Sequence, residues 1–320
     1  RAGARARHRA PGRIRAGRMT LRHHLASLGA VLLALAVGLV AGAAAGGSPS
    51  AGTGPEPSSG PAASGGSTPG TGSEPAPGGP GGEADRLLAE SLPTIAAGSL
   101  GGRQVAVLAL GARAQPVADT LAADLAAAGA AVPVRATVEE SWPDPAGADL
   151  RDGLTRQLGA QPVRSGDPLA VLLAGAVTGA GGPGASPGTV WGVLTGAGLL
   201  SGDPPGGTAP EVLVVAAPAA VGPDAIAGWT ALVEGLAVSA PVLLAAPASG
   251  GASGPATAGD GSLVVAVRES PTGGLLSTAD HADSGVGRLA VLRATADLPA
   301  GDRGHYGSLR GATSGAPGRG

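Results

Sequence analysis

The feature that most limits what this chain can fold into is Leu25–Ala45, LASLGAVLLALAVGLVAGAAA, 21 residues without a charge, Pro, Asn or Gln. A helix of that length rises about 30 Å, close to the thickness of one hydrocarbon core. A buried soluble helix would show a polar stripe, and this segment has none. It therefore reads as one membrane span, with Leu25, Leu32, Leu35 and Val40 among its residues. Residues 1–24 carry eight Arg and no acid, so the N-terminus is expected in the cytoplasm and the C-terminal part outside it.

Two fates remain open for this span. Its length favours a retained signal anchor, whereas Ala43-Ala44-Ala45 offers the small residues that a signal peptidase prefers. Gly38 and Gly42 have the spacing of a helix-pairing motif, a weak signal in so Ala/Gly-rich a run. The first residue is Arg and Met19 is the sole methionine, which suggests that residues 1–18 precede the true start.

Residues 46–83 are nearly all Gly, Ser, Pro, Ala and Thr. Such a segment buries too little apolar surface to offset chain entropy and is expected to be a disordered tether. Its reach as a flexible coil is about 30–35 Å. Residues 311–320 read as a second disordered segment, a tail.

Between them, residues 84–310 read as a folded extracytoplasmic domain. Gln104–Leu110, Val132–Val138, Glu211–Ala217, Pro241–Ala246 and Ser262–Val267 are short apolar runs that read as buried strands. Helical patterns lie between them at Pro116–Ala128, Asp149–Leu158, Pro168–Val177, Thr189–Leu200 and Asp224–Val238, and Arg288–Asp297 fits strand or helix, with helix preferred. Continuous apolar strands alternating with helices predict a single three-layer α/β domain with a mostly parallel sheet, flavodoxin- or Rossmann-like.

Composition removes several chemistries. The chain has no Lys, no Cys and no Phe, so a Walker phosphate loop, a Schiff base, a thiol nucleophile and cysteine-ligated metals are excluded. A formal net charge of −2 gives no reason to expect nucleic acid. Gly179–Gly184 matches G-x-G-x-x-G with Asp203 at about the right distance beyond, but Pro183 sits inside the turn and the match falls late in the domain, not directly after the first strand, so it reads as a loop. Asp280-His281-Ala-Asp283 and His305 are candidate metal or acid–base groups, although short Asp/Gly-rich turns commonly contain such residues. Glu139 and Glu140 read as solvated at a strand end. Nothing marks a Ser/His/Asp catalytic triad, and the chain is expected not to be an enzyme.

Met19–Gly42, MTLRHHLASLGAVLLALAVGLVAG, resembles the N-terminus of the mycobacterial copper transport protein B (MctB) family of actinobacterial envelope proteins. The similarity resumes over Gly102–Val138, at Leu276-Ser-Thr-Ala-Asp280, at Gly287-Arg-Leu-Ala-Val291 and at Gly304-His305-Tyr306-Gly307. The resemblance implies a membrane-associated envelope protein, with an outer-membrane location among the options, linked to copper export or tolerance and described as channel-forming. It makes copper a transported or sensed ion rather than a resident cofactor. Partners are then the membrane, other envelope proteins or further copies of the chain. The charged, coiled-coil-like helix usual after the span in this family is reduced here to Glu83–Leu92. Copper(I) favours thiolate and thioether ligands, which this chain nearly lacks, so an accessory role or a multi-chain pore is expected. The alternative is a tethered α/β binding or scaffold domain with no metal function.

Overall fold

The computed structural model describes residues 80–180, 184–247 and 262–313. The predicted span with Leu25, Leu32, Leu35 and Val40 lies outside the described residues, as do the tether up to residue 79 and the tail from residue 314. Among the described residues no helix is long and apolar enough to cross a membrane.

The chain enters through α1 (Pro80–Ile95), which begins four residues before the boundary read from the sequence. Then come β1 (Gln104–Leu110), α2 (Gln115–Ala127), β2 (Ala131–Val138), α3 (Ala148–Gln157), α4 (Pro168–Thr178), α5 (Pro187–Gly196) and β3 (Leu200–Gly202). The second half holds β4 (Val212–Ala216), α6 (Pro223–Ser239), β5 (Val242–Ala245), α7 (Leu263–Glu269), β6 (Ser277–Ala279), α8 (Gly285–Asp297) and β7 (His305–Tyr306). One sheet runs β3-β2-β1-β4-β5-β6-β7, parallel throughout except for the antiparallel β2–β3 edge. The parallel strands follow the flavodoxin-type order, in which the chain starts near the middle and winds outward in both directions.

Strand residues alternate between two apolar layers. Ala106, Leu108 and Leu110 of β1 face the layer formed by α3–α7, whereas Val105, Val107 and Ala109 face α1, α2 and α8. Both faces are therefore dry, which is why these strands read as unbroken apolar runs. Helix starts follow local chemistry. Asp167 and Ser186 accept from the backbone N–H groups of Leu169 and Thr189, and Pro168 and Pro187 occupy the first turn, where a missing N–H does no harm. Two ties join the helices of the second face. Arg288 of α8 grips Asp124 of α2 through two hydrogen bonds of 2.6 and 2.5 Å, and the N–H of Val286 reaches Asp85 of α1.

One predicted strand is wrong. Ser262–Val267 is not the fifth strand: Leu263–Glu269 is the helix α7. A short apolar run buried on every side lacks the periodicity that separates helix from strand, and here Leu263, Val264, Val265 and Val267 are all buried. The next parallel strand is instead β6, Ser277–Ala279, whose polar side chains gave no apolar signal. The helix read as Thr189–Leu200 ends at Gly196, which frees Leu200–Gly202 for the antiparallel edge strand. Gly179 is the left-handed cap of α4 at φ 67°, so the glycine-rich match follows a helix, not a strand, and its residues 181–183 lie outside the described set. Glu139 accepts a hydrogen bond from Ser201 and Glu140 faces Arg113 at 3.4 Å.

Candidate functional site

The candidate residues from the sequence converge on the β6–β7 edge of the sheet. Register places Thr278 against His305 and Ala279 against Tyr306. Asp280 follows β6 directly, and its N–H continues the ladder by donating to the Tyr306 carbonyl at 3.1 Å. Its carboxylate, fully buried, then turns back under the C-terminal segment.

Arg268 on α7 meets it there. The guanidinium donates to Asp280 Oδ2 at 3.0 Å, to Thr278 Oγ1 at 2.7 Å, and to the carbonyls of Tyr306 at 2.8 Å and Leu309 at 3.1 Å. Asp280 in turn accepts from the N–H groups of Ser308 (2.9 Å) and Leu309 (3.0 Å) and from His281 Nδ1 (2.5 Å). Burial pushes this carboxyl up. The N–H of Ser308, the His281 ring, the N–H of Leu309 and the Arg268 charge outweigh that and hold it below its ordinary value. Burial pushes the Arg268 guanidinium down, and Asp280 opposes the shift.

The glycines of this region are required by close approach. A Cβ on Gly307 (φ 125°) would fall on the Asp280 carboxylate, and one on Gly287 would fall on the backbone carbonyl of His281. Gly304 leaves room for the Tyr306 hydroxyl, where a Cβ would sit 2.6 Å away. His281 itself is left-handed, at φ 59°, a conformation that costs a residue with a Cβ about 1–2 kcal/mol. It reverses the chain so that Ser284 can cap α8, accepting from the N–H of Gly287 at 3.0 Å.

His305 lies on the outside of the same cluster, with Nδ1 3.1 Å from Thr278 Oγ1. That oxygen already accepts from Arg268, so its hydrogen is available for Nδ1, which places the ring proton on Nε2. Burial and the Arg268 charge both push the His305 pKa down, in keeping with a neutral ring. The Tyr306 hydroxyl is pushed up by burial and by Asp297 and Asp302.

Asp280, His281, His305, Tyr306, Gly287 and Gly307 are thus brought together, while Asp283 sits exposed in the turn before α8. Among the described residues there is no group of three or more His, Asp or Glu suited to a metal ion. Both Asp280 oxygens are occupied by donors, so the carboxylate has no lone pair directed at an added cation. Asp280, His281 and Ser308 line up in the order of a charge-relay triad, with His281 Nε2 3.5 Å from Ser308 Oγ. The backbone N–H groups of Ser308 and Leu309, which an oxyanion beside Ser308 would need, are both donated to Asp280. The arrangement is therefore a latch that fastens the last segment of the chain to the sheet edge. Arg268, its central donor, was not singled out from sequence; a lone Arg ending an apolar run was the only available signal.

Fold and site together define an open, doubly wound α/β domain whose C-terminal edge is closed by a buried ion pair. Residues 19–317 match the family described as copper transport outer membrane protein, MctB, and the chain belongs to that family. No curated protein matches the chain. The family places the protein in the cell envelope with a copper-related role. Of the stretches that carried the resemblance, those at 276–280, 287–291 and 304–307 include residues of the latch and its supporting turns.

Proposed function

We propose that this protein serves copper homeostasis as an accessory envelope component, without enzymatic activity, and that any pore it takes part in is assembled from several chains. The observation that carries this reading is the layout of the domain. The central strands of its mostly parallel sheet are covered by helices on both faces, so their apolar residues face a protein core and not lipid. A transmembrane barrel needs strands with an outward apolar band and aromatic girdles; this chain is 1% aromatic. The ligand chemistry agrees: with no Cys and a single Met, the chain has no thiolate or thioether set for carrying copper(I).

The finer topology belongs to the same proposal. Residues 25–45 anchor the domain by a single pass, the N-terminus faces the cytoplasm, and residues 46–79 form a tether to the extracytoplasmic domain. A second reading, a tethered scaffold without metal function, is favoured by the full occupation of the Asp280 carboxylate by protein donors.

Purified full-length chain in planar lipid bilayers tests the proposal. It predicts that any conductance rises with a power of protein concentration well above one, and channel openings whose frequency is simply proportional to protein concentration would overturn it.

A further inference from the structure

The face of the sheet that carries α1, α2 and α8 ends in a bare shelf. The helices that lead from β2 to β3 are α3, α4 and α5, and all pack on the opposite face. Nothing among the described helices therefore covers the near face of β2 and β3 beyond α2. The cleft left there has a volume of about 300 Å³. Its floor comes from Val107 and Ala109 of β1, both buried, and its walls from Arg135 and Thr137 of β2 and from Gln115 and Asp119 of α2.

The placement follows from the two periodicities. Arg135 and Thr137 are two apart on a strand, and Gln115 and Asp119 are four apart on a helix, so each pair points one way into the same space. Gln115 Nε2 donates to Thr137 Oγ1 at 3.0 Å, which fixes the neutral end of the cleft. The charged groups behave differently. Arg135 and Asp119 are both exposed, and neither has an ion-pair or hydrogen-bond partner among the described residues, the other included.

We infer that this cleft binds a small zwitterion, an amino acid or short peptide with a free ammonium and a free carboxylate. The Arg135 guanidinium offers a planar fork to a carboxylate, and Asp119 accepts from an ammonium. A ligand with only one charge would match one wall and leave the other without a counter-charge. The inference is independent of the copper reading.

The test is calorimetric titration of the full-length chain in detergent with L-alanine and L-alanyl-L-alanine, using N-acetyl-alanine and alaninamide as singly charged controls. Saturable binding of a zwitterion is expected, weakened at least tenfold by removal of either ligand charge. Arg135→Gln and Asp119→Asn are each expected to weaken it at least tenfold, with the thermal midpoint unchanged because both side chains are exposed. Absence of saturable binding, equal binding of the controls, or unaltered binding by the Arg135→Gln/Asp119→Asn double variant would overturn the inference.

Discussion

Arg268 and Asp280 form an ion pair of 3.0 Å in which neither side chain is exposed to solvent. Burying two charges is unfavourable in itself, and that cost is offset by further hydrogen bonds on both members of the pair. Thr278 and the carbonyls of Tyr306 and Leu309 each take a further guanidinium proton, while two backbone N–H groups and His281 complete the carboxylate. Removal of either partner leaves an uncompensated buried charge. Arg268→Met and Asp280→Asn are each expected to lower stability by about 3–5 kcal/mol, with the double variant losing less than the sum. Urea denaturation of the four proteins in this cycle checks it; additive losses would contradict the pairing.

Gly307→Ala should be damaging for a different reason. The added methyl meets the Asp280 carboxylate, and φ 125° suits only glycine. Overpacking alone costs about 1–3 kcal/mol. Gly274→Ala, where a Cβ meets nothing within 4 Å, is the matched control and should cost well under half as much in the same denaturation measurement.

Acid should weaken the fold in two stages. The folded-state pKa of His305 is depressed below its ordinary value of about 6.5, so the unfolded chain takes up a proton first. The contribution of this residue is present above pH ~6.5 and is lost as the pH falls through the folded-state value. Asp280, also depressed, contributes above about pH 3.9 and loses that contribution as the pH falls through its lower folded value. His305→Asn retains an acceptor for Thr278 and removes the titrating ring, so the first stage should flatten in a pH series of melting temperatures. A wild-type series with no slope between pH 7 and 5 would contradict the assignment.

Much of this architecture was legible in the sequence, and the reasons differ between elements. Gln104–Leu110 and Glu211–Ala217 sit in the middle of the sheet, where burial on both faces forces a continuous apolar run. The edge is harder to read. β6 is Ser-Thr-Ala and β7 is two residues long, because those strands face a polar cluster and are held by Arg268 and Asp280. The local pattern around His281 and His305 suggested ligands, but which donors surround Asp280 depends on residues some 28 positions away, at Ser308 and Leu309, and on α7. Sequence spacing cannot carry that information.

The α2–α8 contact gives a fourth expectation. Arg288 holds Asp124 through two parallel hydrogen bonds, and that pairing raises the Arg288 pKa above its ordinary value. Lysine offers one point charge in place of a fork. Arg288→Lys should therefore lose about 1–2 kcal/mol and increase hydrogen exchange in α8 first. Unchanged exchange in α8 would contradict the role assigned to this pair.

The central claim is a copper-related role for a domain of this family, which we propose is held at the membrane. Copper tolerance and cellular copper content of a deletion strain test it most directly, with complementation by the full chain and by a chain lacking residues 19–45. The account predicts lower tolerance and raised copper in the deletion strain, rescue by the full chain, and no rescue by the unanchored one. Unchanged tolerance and copper content on deletion would contradict it.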